Sequence, residues 1–123
     1  MKAYNPNVDL DQQAWLASDE ESRINVVVRY HQRHGFQDPS GRVHSIVHVV
    51  VENQLAMNEP VVVETLARLR AEGLTRHDAI HAIGSVLAEQ IYHLLKEGDQ
   101  GTDANEGYVE RLKQLTAAGW NAG

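Results

Sequence analysis

Apolar residues recur along the chain three or four positions apart, which is the spacing of one helix face rather than the alternation of a strand. The clearest segment covers about residues 76–97, and its apolar side consists of Ile80, Ile83, Leu87, Ile91 and Leu94. Shorter segments with the same spacing predict helices over about residues 9–16, 18–34, 42–57, 60–72 and 108–118. The pattern therefore predicts an all-α fold, a helical bundle of about five to six helices.

Residues that begin and end helices lie where this division requires them. Pro60 takes a first helical position and Gly73 follows a helix end, while Thr75 and Asp78 have the spacing of a capping box. The run over 47–51 is rich in valine, and β-branched residues favour strands. We predict a helix there because the apolar content continues past strand length and no partner strand is visible.

A chain of 123 residues has the length of one domain. No repeat of fixed period divides it, so we expect a single helical domain over residues 1–123. Its core covers about residues 9–97. A polar, glycine-containing linker over about 98–107 then leads to a C-terminal helix over about 108–118.

The chain contains no cysteine, so any metal ligands have to be nitrogen and oxygen atoms. Its 11 Lys and Arg residues are outnumbered by 17 Asp and Glu, giving a formal net charge of -6, and no stretch gathers the basic residues that nucleic acid requires. The longest apolar run falls far short of the roughly 20 residues of a membrane span. The first residues lack the apolar segment of a signal peptide. We therefore expect a cytoplasmic protein without nucleic-acid or membrane partners.

Histidine is frequent, with seven residues in the chain, and four of them form two His-x-x-x-His pairs on different predicted helices. His44 and His48 make the first pair, and His77 and His81 make the second. Residues four apart stand on one helix face, so both imidazoles of a pair can reach one cation. Glu52 lies four residues after His48 and adds an oxygen ligand, an acceptor for a ring N–H, or a general base.

Two such pairs on facing helices predict a site for a divalent first-row metal ion, with zinc, iron, nickel and manganese not distinguished. If Glu52 acts as the base, the site belongs to a metalloenzyme whose reaction and small-molecule substrate the sequence does not name. His31, on the apolar side of an earlier helix, is a further candidate ligand. Ordinary histidines at the border of the core are the alternative interpretation.

The adjacent residues His77 and Asp78 are also typical of metal-dependent phosphohydrolases of the HD type, with His48 as the earlier histidine. That class requires a later helical aspartate, and only Asp99 and Asp103 follow, both in the predicted linker. The isolated glycines form no phosphate-binding loop or dinucleotide fingerprint, so no cofactor-binding residues are predicted.

A non-catalytic helical interaction or dimerisation module is another alternative, in which the histidines only tune the surface. The predicted helix over 42–57 is apolar around more than half of its circumference. Such a helix lies either at the centre of a bundle or at a two-fold interface, and we expect a homodimer.

A longer pattern connects the two histidine pairs. Its members are Val43, His44, His48, Glu52, Gln54, Pro60, His77, His81, Leu87 and Glu89. Over about residues 42–95 this pattern resembles a bacterial family known as the domain of unknown function number eighteen forty-one. The resemblance implies a helical bundle and a bacterial source, supplies no reaction, and groups in one constellation His44, His48, Glu52, His77 and His81.

Overall fold

The computed structural model describes residues 4–35, 43–97 and 104–122, and within these ranges it contains seven α-helices and no strand. The helices are α1 (Gln12–Ala17), α2 (Glu20–Arg33), α3 (Val43–Ala56), α4 (Pro60–Ala71), α5 (Arg76–Glu97), α6 (Ala104–Gln114) and α7 (Ala117–Ala122). The predicted all-α fold is confirmed, and the valine-rich run over 47–51 is helical. Seven helices rather than five to six are present in the described ranges.

The helix ends follow the sequence signals at most positions. Pro60 begins α4, Gly73 has a φ of +110° after its end, and the side chain of Thr75 accepts a hydrogen bond from the N–H of Asp78 at 3.1 Å. Helix α2 is capped by Asp19, whose carboxylate accepts a hydrogen bond from the N–H of Ser22 at 2.8 Å. Aspartate is favoured at this position because its oxygen accepts the bond and its negative charge stabilises the helix N-terminus.

The C-terminal part also differs from the expectation of one helix over 108–118. Helix α6 begins at Ala104, inside the predicted linker, and α7 follows after a two-residue break. The break forms because the hydroxyl of Thr116 accepts a hydrogen bond from the N–H of Gly119 at 2.9 Å and so starts a new helix. Trp120 on α7 packs against the core. Residues 98–103 of the predicted linker lie outside the described residues.

Helix α3 lies at the centre of the bundle and packs against α1, α2, α4 and α5. It runs antiparallel to α5, because Glu52 contacts Arg76 while His44, two turns earlier, contacts His81. The two helices approach closely at Gly84, where an added Cβ would lie 3.2 Å from a methyl group of Val47. This central position accounts for the apolar circumference of α3 within one chain. The homodimer stays a prediction.

Two apolar clusters share α3. The larger cluster joins α3 to α4, α5 and α6 and includes the fully buried Leu69, Ile80, Ile83 and Leu112. The smaller one joins α3 to α1 and α2 through Trp15, Val27, Val49 and Ala56. None of the helices described here is both long and apolar enough to cross a membrane.

Candidate metal centre

Four histidines from three helices converge in the interior. His31 comes from α2, His48 from α3, and His77 and His81 from α5, and one ring nitrogen of each lies within 4.8 Å of the others. The first three side chains are 3%, 2% and 5% exposed, and His81 is half-buried. We refer to these four residues as the four-histidine cluster. A buried group of this kind can hold a metal ion.

The rings of the cluster have nearly tetrahedral symmetry. In five of the six pairs the ring centroids are 5.3–5.6 Å apart, and in the sixth, His77 with His81, they are 4.1 Å apart. Four imidazoles that each bind one tetrahedral ion at about 2.0–2.1 Å have ring centroids about 5.3 Å apart. Two nitrogens bound to such an ion are about 3.4 Å apart, so binding requires the ligand nitrogens to draw together by up to about 1.4 Å, which side-chain rotations supply.

The environment favours the neutral form of three of these rings, those of His48, His77 and His81. Burial, followed by the neighbouring imidazoles His77, His44 and His31, lowers the pKa of His81 to about 3. Burial and the same kind of neighbours hold the pKa of His48 well below its usual range, and burial also lowers the pKa of His77. A neutral imidazole has one nitrogen with a free lone pair, and this is the form that binds a metal.

Hydrogen bonds assign the tautomer of His48. The hydroxyl of Tyr4 donates to the carboxylate of Glu52 and lies 2.7 Å from Nε2 of His48. Burial and then the charge of Glu52 raise the pKa of Tyr4 above its usual range, so the phenol keeps its proton. Since that proton goes to Glu52, the phenol oxygen accepts from Nε2–H of His48. The lone pair of His48 is therefore on Nδ1, which is buried and has no hydrogen-bond partner among the residues that the structure describes.

The other buried members are also held in place. Nδ1 of His31 lies 3.1 Å from the hydroxyl of Ser45, and this contact fixes the orientation of the ring. His77 is in the first turn of α5, and its backbone N–H donates to the side chain of Asn7 at 3.0 Å. Such contacts orient histidines for metal binding in many proteins.

Glu52 and Arg76 form a buried ion pair beside the cluster. Nη2 and Nη1 of Arg76 donate to the two carboxylate oxygens at 2.8 and 3.0 Å, with side-chain exposures of 3% for Arg76 and 0% for Glu52. The guanidinium also donates to the carbonyl of Pro6 at 2.9 Å. Its Nε lies 3.2 Å from Asp9, an ion pair without the alignment of a hydrogen bond. The pair thus joins α3, α5 and the N-terminal segment.

The structure brings together His48, His77 and His81 of the predicted site residues. His44 is exposed, and its Nε2 lies 3.2 Å from Nε2 of His81 at the edge of the cluster. Glu52 binds Arg76 and Tyr4 and does not belong to the group of four. Its predicted role as a ligand or base remains a prediction, as does that of His44 as a ligand.

Asp78, the one aspartate of the HD-type interpretation that the structure describes, is not part of the four-histidine cluster. Asp78 is exposed, and its backbone N–H binds the hydroxyl of Thr75 at the start of α5. Asp99 and Asp103 lie outside the described residues. Within the part of the chain that the structure describes, the four-histidine cluster contains no carboxylate.

From the sequence, His31 was only a further candidate ligand, whereas in the structure it is one of the four residues of the cluster. The signal was present, because His31 continues the face of Ile24, Val27 and Val28, which points to the interior. The sequence contains no comparable signal for Tyr4. It lies in an irregular segment before the first helix, and its contacts are with His48 and Glu52, more than 40 positions later in the sequence. Periodicity does not detect contacts of that range.

Comparisons with known protein families, with curated proteins and with solved structures find no match to this chain. The resemblance described above therefore stays a prediction.

Removing Arg76 is expected to destabilise the protein far more than removing its neighbour Arg70. Arg76→Ala leaves the charge of Glu52 buried without its partner, which costs about 3–5 kcal/mol of unfolding free energy. Arg70 also pairs with Asp9, at 3.2 Å, but is 42% exposed, so Arg70→Ala costs about 0–1 kcal/mol. Urea denaturation of both variants measures the difference, and equal losses would contradict a buried ion pair.

Proposed function

We propose that this protein binds one divalent first-row metal ion through His31, His48, His77 and His81. The observation that carries the proposal is the near-tetrahedral arrangement of four imidazoles, three of them buried and one half-buried, with five of the six centroid distances within 5.3–5.6 Å. A purely structural histidine is buried with its polar atoms satisfied. Nδ1 of His48 is buried and has no hydrogen-bond partner within the described part of the chain, so its lone pair is available to a metal ion.

The donor set favours zinc within this class of ions. Four neutral nitrogens in a tetrahedral arrangement suit Zn²⁺, while Mn²⁺ prefers oxygen ligands and octahedral geometry. Four protein ligands fill a tetrahedron and leave no position for water or substrate. The arrangement thus supports a metal-binding role more directly than a catalytic one. Glu52, the candidate base, has both oxygens engaged by Arg76.

Adding Zn²⁺ to the metal-free protein is expected to raise its melting temperature, because an ion that binds only the folded state stabilises it by about 2.7 kcal/mol at 100 times its Kd. Elemental analysis should find one ion per chain. His48→Ala and His81→Ala each remove one ligand nitrogen and should abolish the shift. Scanning calorimetry with and without zinc measures the shift in the unmodified protein and its loss in the two variants.

His93→Ala is the matched control, because His93 stands on the same helix as His81 and lies 3.6 Å from Glu89 on the surface. It should keep the full thermal shift. No shift in the unmodified protein at saturating zinc, or an equal loss in the His93 and His81 variants, would rule out the proposed site.

Tyr4→Phe is expected to weaken zinc binding by about 10–100-fold, the range typical of groups that orient a metal ligand. The variant keeps the ring but removes the oxygen that accepts from Nε2–H of His48, so the tautomer with its lone pair on Nδ1 loses its support. Glu52→Gln should act in the same direction, since it weakens the acceptor for the phenol.

Tyr108→Phe is the control for this comparison. Tyr108 is also buried, and its hydroxyl donates to Gln54 at 2.8 Å. Isothermal titration should give it the Kd of the unmodified protein. Equal weakening in both tyrosine variants would mean that general loosening, not the orientation of His48, causes the effect.

A further inference from the structure

The four-histidine cluster has one member that faces solvent. His31, His48 and His77 are each at most 5% exposed, whereas His81 is half-buried. An ion arriving from solvent therefore meets His81 first among the four. His44, itself exposed, stands directly beside His81.

The distance between these two rings fits a shared ion. Nε2 of His44 and Nε2 of His81 are 3.2 Å apart. Two nitrogens that bind one ion at about 2.1 Å are separated by about 3.0 Å at a right angle and about 3.4 Å at the tetrahedral angle. Without an ion, one ring donates its N–H to the other, which holds the two nitrogens at that separation.

We propose that His44 and His81 form an outer binding position for a divalent metal ion, through which the ion enters and leaves the four-histidine cluster. The proposal rests on the metal binding proposed above. His81 is common to both sets of ligands, so the ion can exchange His44 and water for the three buried imidazoles one at a time. A hydrated ion gives up its water stepwise in this way, which avoids placing a bare charge among apolar groups. One ion occupies the chain at a time.

His34, at the C-terminal end of α2, is also exposed, but its ring is oriented differently from that of His44. Its ring stacks on Tyr30 with centroids 4.0 Å apart, and its Nδ1 lies 3.0 Å from the backbone carbonyl of Tyr30. These contacts direct the ring toward its own helix. His34 is therefore a matched control, since it is exposed at the same end of the protein but outside the outer position.

The test measures the rates of metal exchange in the full chain. Zinc-loaded protein is mixed with an excess of a chromogenic chelator in a stopped-flow instrument, and loading is followed by mixing metal-free protein with Zn²⁺. His44→Ala should slow both loading and release by about tenfold or more. Because both rates fall together, Kd and the stoichiometry should stay as in the unmodified protein. His34→Ala should leave both rates unchanged. His44→Glu, which keeps a ligand atom, should exchange faster than His44→Ala.

The sign of the effect decides the outcome. If His44 only covers His81, its removal opens the cluster and speeds release, and that result would overturn the outer position. Unchanged rates in His44→Ala, or equal slowing in His34→Ala, would overturn it as well. Absence of zinc binding in the unmodified chain would instead be a failure of the proposed function, so the two claims fail in distinguishable ways.

Discussion

Two oppositely charged side chains, Glu52 and Arg76, meet in the interior, and the rest of the centre depends on their contact. Glu52 follows His48 by one helix turn, and Arg76 directly precedes His77, so a bidentate ion pair between them sets the register of α3 against α5. That register places His48 opposite His77 and His81 on α5. Breaking a buried pair costs far more than its net contribution, which makes alternative registers unfavourable.

The ion pair also positions a segment that has little regular structure of its own. Arg76 binds the carbonyl of Pro6, and Tyr4 reaches Glu52 and His48. The N-terminal segment is therefore held against the cluster by polar contacts as well as by the ring of Tyr4, which packs near Trp15. Glu52 acts on His48 through the phenol. The negative charge of Glu52 favours a proton on Nε2 of His48, which faces the phenol, and a lone pair on Nδ1, which faces the cluster.

The fold class and three of the four histidines of the cluster could be predicted from the sequence, because both depend on local spacing. Helical periodicity predicted the five helices before residue 98 to within a few residues, and the His-x-x-x-His spacing identified His48, His77 and His81. Local spacing did not show that α2 brings His31 to the cluster while His44 stays at the surface. Which of the two histidines joins the cluster depends on how three helices cross. The partners of Glu52 were hidden for a similar reason. Arg76 is 24 residues away and Tyr4 is 48 residues away.

X-ray absorption spectroscopy of the zinc-loaded protein measures directly whether four imidazoles bind one ion. We expect a single shell of four nitrogen atoms at about 2.0 Å, with the outer-shell scattering that imidazole rings produce. This spectrum should be the same in His44→Ala, whose missing ring is not among the four. A shell dominated by oxygen, or scattering from only one or two imidazoles, would contradict the four-histidine centre.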